Sequence, residues 1–315
     1  MSLAPKTLFG PHGTLLEDEE RKTGIIGLAD PKQILNGPRY RDAVISVARS
    51  YIDAGARVAA TNTFRVRHVL DGSDPSRIDR YRAIVRGHLL ALQTAIDGID
   101  EEIIRVISLG PAGDCYKPHE APDRLQAEEF HGYQASTVAQ LDVDFAWFET
   151  VNTIEEAVGI AIAAKKAGVR CVISFVIDSE GDLLSGESIY DAIREIDGVT
   201  NNYPFGFGLN CCPIEGIQKA MQKCGSLRHR IIAVYPNASS FPPNELSGKA
   251  LHDHVLGVVD PDGVAAYLHG LARENHLQII GGCCGFTPKD IAKISHAVRH
   301  GIIQSNIPRT DKHRG

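Results

Sequence analysis

Eight short apolar runs alternate along this chain with segments of helical period, and that alternation predicts a single (βα)8 barrel. The runs fall at 7–9, 58–60, 105–109, 145–148, 171–176, 205–209, 231–234 and 278–280. The length agrees, since 315 residues suit a barrel of ~250 residues plus loops. An open doubly wound sheet would instead carry a glycine-rich phosphate turn after an early strand. No G-x-G-x-x-G follows one here.

Taken in order, each run is short enough for a strand and is followed by polar or turn residues. The clearest helical patterns between them lie at 41–54, 77–96, 125–141, 154–167 and 264–275. In a barrel the chemistry sits where strands end and βα loops begin. Those positions form a polar ring. Gly10-Pro11-His12-Gly13-Thr14 follows the first strand, Thr61-Asn62-Thr63 the second and Gly110-Pro111 the third. Glu149-Thr150 follows the fourth, Cys211 the sixth, Tyr235-Pro236-Asn237 the seventh and Cys283-Cys284 the eighth. Packing alone expects apolar or turn residues there, not a carboxylate, two asparagines and three cysteines. Three loops are long, at 24–38, 111–123 and 235–260, and long loops in a compact domain usually wall or cover a site. The barrel is expected to occupy residues 1–301, and the polar stretch 302–315 to be a disordered tail.

Composition narrows the function classes. The chain is 43% hydrophobic and 23% charged, as an ordinary globular protein is. A net charge of -6 speaks against a nucleic-acid footprint, which needs a basic face. No apolar run approaches the ~18 residues of a membrane span. The N-terminal residues lack the apolar core of a secretory signal. Seven cysteines, an odd number, are not spaced as a disulfide framework, so metal or catalytic use in a reducing cytoplasm is expected.

The cysteines at strand ends carry the sharpest signal. Gly281-Gly282-Cys283-Cys284-Gly285 follows the apolar run Leu277-Gln278-Ile279-Ile280 and precedes Thr287-Pro288-Lys289-Asp290. Thr287 suits an N-cap, Pro288 the first helical position, and Asp290 closes the box back to the cap. Adjacent cysteines on a regular strand would point to opposite faces. Flanking glycines let the backbone twist so that both sulfurs converge. Gly208-Leu209-Asn210-Cys211 ends the sixth strand, and Pro213 then opens a helix. Three thiolates at two strand ends make three ligands of a tetrahedral zinc site with an open fourth position. The other cysteines read more plainly. Cys212 points away from Cys211 by strand alternation, Cys171 lies in a core run, and Cys224 is near a helix end. Cys115 sits in the third loop, where it could line the barrel mouth.

These two cysteine motifs together resemble the homocysteine S-methyltransferase family. Thr61-Asn62-Thr63-Phe64, Phe148-Glu149-Thr150, Leu184-Ser185-Gly186-Glu187-Ser188 and Tyr235-Pro236-Asn237 resemble it as well, in the same order, from Thr7 to Val298. The resemblance implies a zinc-dependent barrel that methylates homocysteine sulfur to give methionine, with Cys211, Cys283 and Cys284 as the Zn2+ ligands. It implies a small-molecule thiol acceptor and a small methyl donor as partners. A sulfonium such as S-methylmethionine is favoured, S-adenosylmethionine comes next, and betaine fits less well. No cobalamin or folate module fits within this length. Glu149 is the expected partner of the acceptor's ammonium group. Asn62, Thr63 and Asn237, with Gly13 and Thr14, are expected substrate contacts or loop anchors.

One departure bears on the acceptor. The family pattern after the first strand is Asp-Gly-x-Met-Gly-Thr, and its Asp helps hold the amino group. Here the stretch is Phe9-Gly10-Pro11-His12-Gly13-Thr14, so Phe9 stands at the Asp position and His12 at the Met. A neutral ring removes one partner of a cation and leaves the metal chemistry untouched. Two alternatives therefore stay open: a thiol acceptor other than homocysteine, and a zinc-binding barrel whose substrate site has degenerated. His12 could contact a substrate carboxylate, lend a fourth ligand, or simply bond a turn carbonyl.

Overall fold

The computed structural model describes residues 5–8, 15–16, 19–20, 30–238 and 261–300. Eight parallel strands form one sheet in the order β1-β8-β7-β6-β5-β4-β3-β2. They are β1 Lys6–Thr7, β2 Val58–Ala60, β3 Ile104–Leu109, β4 Phe145–Val151, β5 Cys171–Phe175, β6 Gly206–Asn210, β7 Ile231–Tyr235 and β8 Ile279–Ile280. Leu8 bridges Val58 in parallel, next to the Arg57 N–H that donates to the Thr7 carbonyl at 2.8 Å. β1 thus pairs with both β8 and β2, and the sheet closes into the expected (βα)8 barrel.

Helices cover the outside: α1 Pro38–Asp53, α2 Arg77–Ile96, α3 Arg124–Val138, α4 Ile154–Ala167, α5 Ile189–Thr200, α6 Ile214–Lys223, α7 Pro261–Asn275 and α8 Pro288–His300. Their ends follow local chemistry. Asp123 and Gln126 form a reciprocal capping box on α3, and Thr153 and Ser188 cap α4 and α5. The expected start of α8 is present, with Asp290 accepting from both the N–H and the hydroxyl of Thr287. α2 and α4 have the bounds read from periodicity. α5 falls in a stretch where the sequence pattern was not among the clearest.

The core has two layers. Outward-facing strand residues pack with the helices in one large cluster. Inward-facing ones, among them Val58, Val106, Phe145, Trp147, Val172 and Ile279, fill the barrel. Trp147 is fully buried, donates to Ser174 Oγ at 2.6 Å, and stands edge-on to Tyr235 at 5.2 Å. It plugs the barrel beneath the strand ends and supports Tyr235 there.

β4 differs from expectation in length. It runs on to Val151, so Glu149 and Thr150 lie within the strand, and the register with β5 shifts between Phe148 and Val151. Thr150 is in the left-handed region at φ 61°, as a bulged residue can be. The turn at 9–14 and the expected tail at 302–315 lie outside the described residues.

Candidate metal centre and the opposite wall

Cys211 closes β6 in the left-handed region, at φ 54°. A non-glycine residue there is strained and persists only where its surroundings hold it. Two supports are visible. The Cys211 N–H donates to the Tyr235 carbonyl at 3.3 Å. One residue earlier, the buried Asn210 side chain bridges to β4: Oδ1 accepts from the Thr150 N–H at 3.1 Å and Nδ2 donates to Thr150 Oγ1 at 2.8 Å. This clamp ties the two left-handed residues together across the barrel mouth.

The β8 turn is fixed by close packing. A side chain at Gly281 would sit 2.8 Å from Leu8 Cβ, and one at Gly282 would overlap the Phe286 ring. Neither glycine has positive φ; Gly285, after the pair, does, at 87°. The first two glycines are therefore there for close approach rather than for twist, and the twist comes from Gly285. Backbone bonds complete the turn: Cys283 N–H to the Pro236 carbonyl at 2.7 Å, and Ala238 N–H to the Cys284 carbonyl at 2.9 Å. Tyr51 from α1 donates to the Phe286 carbonyl at 3.0 Å.

These two constructions bring three sulfurs together. Cys211 Sγ lies 2.9 Å from Cys283 Sγ and 3.6 Å from Cys284 Sγ, and all three fall within 4.8 Å of one another. Among the described residues this is the one cluster of metal-ligating side chains so arranged. A tetrahedral zinc with ~2.3 Å bonds holds its sulfurs ~3.8 Å apart. Opening the Cys211–Cys283 pair by ~1 Å would meet that spacing. The thiols themselves favour a cation. Contact with Cys211 comes first among the causes that push Cys283 and Cys284 well above the usual thiol range, with burial adding to it. A divalent ion would reverse that balance, as thiols ionise outright on coordination. The donor set thus fits zinc.

Across the barrel, Glu149 points inward from β4. Ser108 Oγ of β3 donates to Oε2, and the Tyr235 hydroxyl donates to Oε1 at 3.3 Å. Burial raises its pKa to about 7; the charge of Cys211 adds to the rise, and the two hydroxyl bonds oppose it. A carboxylate poised in this way gains from a cationic ligand.

The remaining expected residues differ in their engagement. Thr63 is 1% exposed and donates to the Ser108 carbonyl at 2.6 Å, with Thr61 Oγ1 at 2.6 Å from its own hydroxyl. It therefore braces β2 against β3 behind Glu149's partner. Asn62 is half-buried and donates to Tyr40 OH at 3.2 Å. Asn237 is 1% exposed, its N–H donates to the Cys212 carbonyl at 3.1 Å, and neither end of its amide has a partner among the described residues. Gly13 and Thr14, with Phe9 and His12, lie outside the described residues. Cys212, Cys171 and Cys224 are fully buried in the outer core. Cys115 is half-buried in the third loop, and burial pushes its thiol up.

Sequence reasoning did not single out Ser108, Asn210, Thr150 or Tyr116 for a role. Ser108 had a signal, being a polar residue in step with inward-facing Val106. Tyr116 had none, since its place depends on how the third loop folds back over β6. There its hydroxyl donates to Cys211 Sγ at 3.5 Å.

Comparisons with known proteins agree with this geometry. The sequence model of the family described as homocysteine S-methyltransferase matches residues 8–298. Two methionine synthases, from Mycobacterium leprae (strain TN) and Mycobacterium tuberculosis (strain ATCC 25618 / H37Rv), are each 26% identical. The first match covers 96% of this chain and 25% of that protein, the second 91% and 23%. The chain thus spans about a quarter of the length of these curated relatives. The homocysteine methyltransferase MmuM from Escherichia coli shares the fold. Its metallated form superposes with a TM-score of 0.71 at 21% identity, covering 93% of this chain and 96% of that one. Its oxidized form gives 0.72 at 20% identity with the same coverage. With the family matched over nearly the whole barrel and the three cysteines of its two motifs drawn to one point, the chain belongs to the homocysteine S-methyltransferase family of methyltransferases.

Proposed function

We propose that this barrel transfers a methyl group from a small sulfonium donor to the sulfur of homocysteine, giving methionine, with zinc held by Cys211, Cys283 and Cys284. The observation that carries the reading is the convergence of three thiols from β6 and β8 in the same mouth as an inward carboxylate. When bound, zinc supplies a Lewis acid that lets an acceptor thiol shed its proton near neutral pH. Three cysteine thiolates overcompensate its charge, so the acceptor sulfur stays nucleophilic. Glu149 holds the acceptor's ammonium group, and Ser108 and Tyr235 hold Glu149. Trp147 below closes the barrel against water from that side. The acceptor sulfur then attacks the donor methyl in line. One carbon–sulfur bond forms as the donor's breaks, and the donor leaves as a neutral thioether. Alignment of the three centres is the chain's main contribution.

The reading extends to a single barrel over residues 1–301 with a tail at 302–315. It also places the protein in a reducing compartment such as the cytoplasm, where free thiols persist. No helix among the described residues is long and apolar enough to cross a membrane. Phe9, at the position of the family Asp, supports a second reading in which the acceptor is a different thiol. A methyl-transfer assay crossing homocysteine, its desamino thiol acid and simple thiols with sulfonium and ammonium donors tests both. Methionine formed from a sulfonium supports the first. Transfer to a thiol lacking the amino group, with none to homocysteine, supports the second. No transfer to any thiol by zinc-loaded protein would refute both.

A further inference from the structure

Tyr116 reaches the cysteine cluster from a part of the chain that carries none of its motifs. Its hydroxyl is 3.5 Å from Cys211 Sγ, which is hydrogen-bond range once the larger radius of sulfur is allowed for. The loop that presents it is fixed at several points. The Tyr116 N–H donates to Asp114 Oδ1 at 2.9 Å, and the Lys117 N–H to the Asp114 carbonyl at 3.0 Å. Asn152, just past β4, donates to that same carbonyl at 3.0 Å, and Ser185 donates to the Asn152 carbonyl at 2.8 Å. Upstream, the Ala112 N–H donates to buried Glu156 at 2.6 Å. Downstream, Lys117 pairs with Glu120 at 3.1 Å. The phenol is therefore delivered to Cys211 by a braced loop.

We propose that Tyr116 is a positioning residue of the metal centre, its O–H donating to the Cys211 thiolate. The proposal rests on the reading of the three cysteines as metal ligands. A hydrogen bond to a ligand sulfur has two consequences. It stabilises negative charge on the ligand sulfur, and so strengthens metal binding. It also draws electron density from one of three anionic sulfurs, which tempers the charge the metal receives. The third loop brings this donor to Cys211, and Cys211 is also the cysteine of the cluster with positive φ.

The test replaces zinc with cobalt(II) in reduced full-length protein and reads the sulfur-to-cobalt charge-transfer band, alongside zinc affinity by chelator competition. Tyr116→Phe keeps the ring and removes the donor. Its band should move to longer wavelength, because a thiolate without a donor gives up electrons more easily, and its zinc affinity should fall about 10-fold. Site-specific 3-fluorotyrosine at position 116, a stronger donor, should move the band the other way and keep the affinity. That graded response is one that a purely structural role would not give, and it covers the case in which Tyr116→Phe folds poorly. An unchanged band in both variants, with wild-type zinc affinity, would overturn the proposal. Wild-type protein that shows no sulfur-to-cobalt band at all would overturn the metal reading itself, and the proposal with it.

Discussion

Cys211, Cys283 and Cys284 face one another on β6 and β8, whereas Glu149, on the opposite strand of the barrel, faces two hydroxyl donors. Both walls are potential anions in a buried place, yet they are held differently. Contact with Cys211, with burial added, holds the Cys283 and Cys284 thiols well above the usual range, so their ionisation calls for a cation. The carboxylate is eased by Ser108 and Tyr235 and stands near half-ionised at neutral pH. In the proposed reading one wall takes a permanent divalent partner, and the other a singly charged ligand that comes and goes. The sulfur wall is also rigidly determined by backbone, through two glycine contacts and a left-handed cysteine. The carboxylate wall depends on side-chain hydrogen bonds that a single substitution removes.

Breaking the sulfur wall should have the largest effect. The Cys283→Ser/Cys284→Ser double variant is expected to lose its zinc and all detectable methyl transfer while keeping the barrel, because the ligands lie at strand ends above the Trp147 layer. Elemental analysis and circular dichroism check this. Full zinc occupancy in the variant would remove the assignment.

Breaking the carboxylate wall should be milder and selective. Glu149→Gln deletes the charge and keeps the shape. Loss of a charge-assisted bond costs ~1.5–3 kcal/mol, so homocysteine binding should weaken roughly 10–100-fold while binding of the desamino thiol acid changes little. Equal effects on the two ligands would take Glu149 out of the site. In wild type, amino-thiol affinity should rise with pH through about 7 as Glu149 ionises, and the variant should lack that step. Stability without ligand runs the opposite way. The folded pKa lies above the unfolded value near 4.5. As pH rises from there to about 7 the unfolded chain gives up its proton first, and stability falls. Above that window the loss is constant, of order 3–4 kcal/mol at ~1.4 kcal/mol per pH unit. Denaturant melts at pH 5 and pH 8 should therefore show Glu149→Gln relatively more stable at the higher pH.

Adding a second carboxylate sharpens the comparison. Phe9→Asp restores the family carboxylate. Two unit charges ~4 Å apart attract by about 4 kcal/mol at an effective dielectric of ~20, before desolvation. Homocysteine should bind more tightly with zinc content unchanged, and an uncharged thiol should gain nothing, since the new carboxylate must itself be desolvated. Efficient homocysteine use by wild type with no gain in Phe9→Asp would discard the altered-acceptor reading.

The sequence made these two walls visible to different degrees. The barrel was legible because strand and helix periods alternate cleanly, and the cysteine cluster because two contiguous motifs, each with its own glycines, sit at strand ends. The carboxylate wall was only half legible. Glu149 stood out as a charge after an apolar strand, but its partners Ser108 and Tyr235 come from β3 and β7, and sequence does not state which inward residues of a closed barrel meet. The β4 bulge that aims Glu149 depends on Asn210, sixty positions away, so the strand was read as ending too early. The glycines before the cysteine pair were recognised, but their purpose was misread as twist, because the neighbours that limit them, Leu8 for Gly281 and Phe286 for Gly282, meet them only in the folded turn.

The smallest predicted effect concerns the clamp between the walls. Asn210→Ala removes both bonds to Thr150. At ~0.5–1.5 kcal/mol for each bond, stability should drop by about 1–3 kcal/mol. Homocysteine affinity should fall with it as Glu149 loses its aim. An unaltered homocysteine affinity in a destabilised variant would show that the bulge does not position Glu149.

The most direct test of the central claim is a zinc titration of reduced, metal-stripped protein, following methyl transfer from S-methylmethionine to homocysteine. Activity should appear in proportion to zinc and level off at about one equivalent per chain, and the Cys283→Ser/Cys284→Ser variant should stay inactive throughout. Full-rate transfer by the metal-stripped protein, or by that variant, would contradict the account.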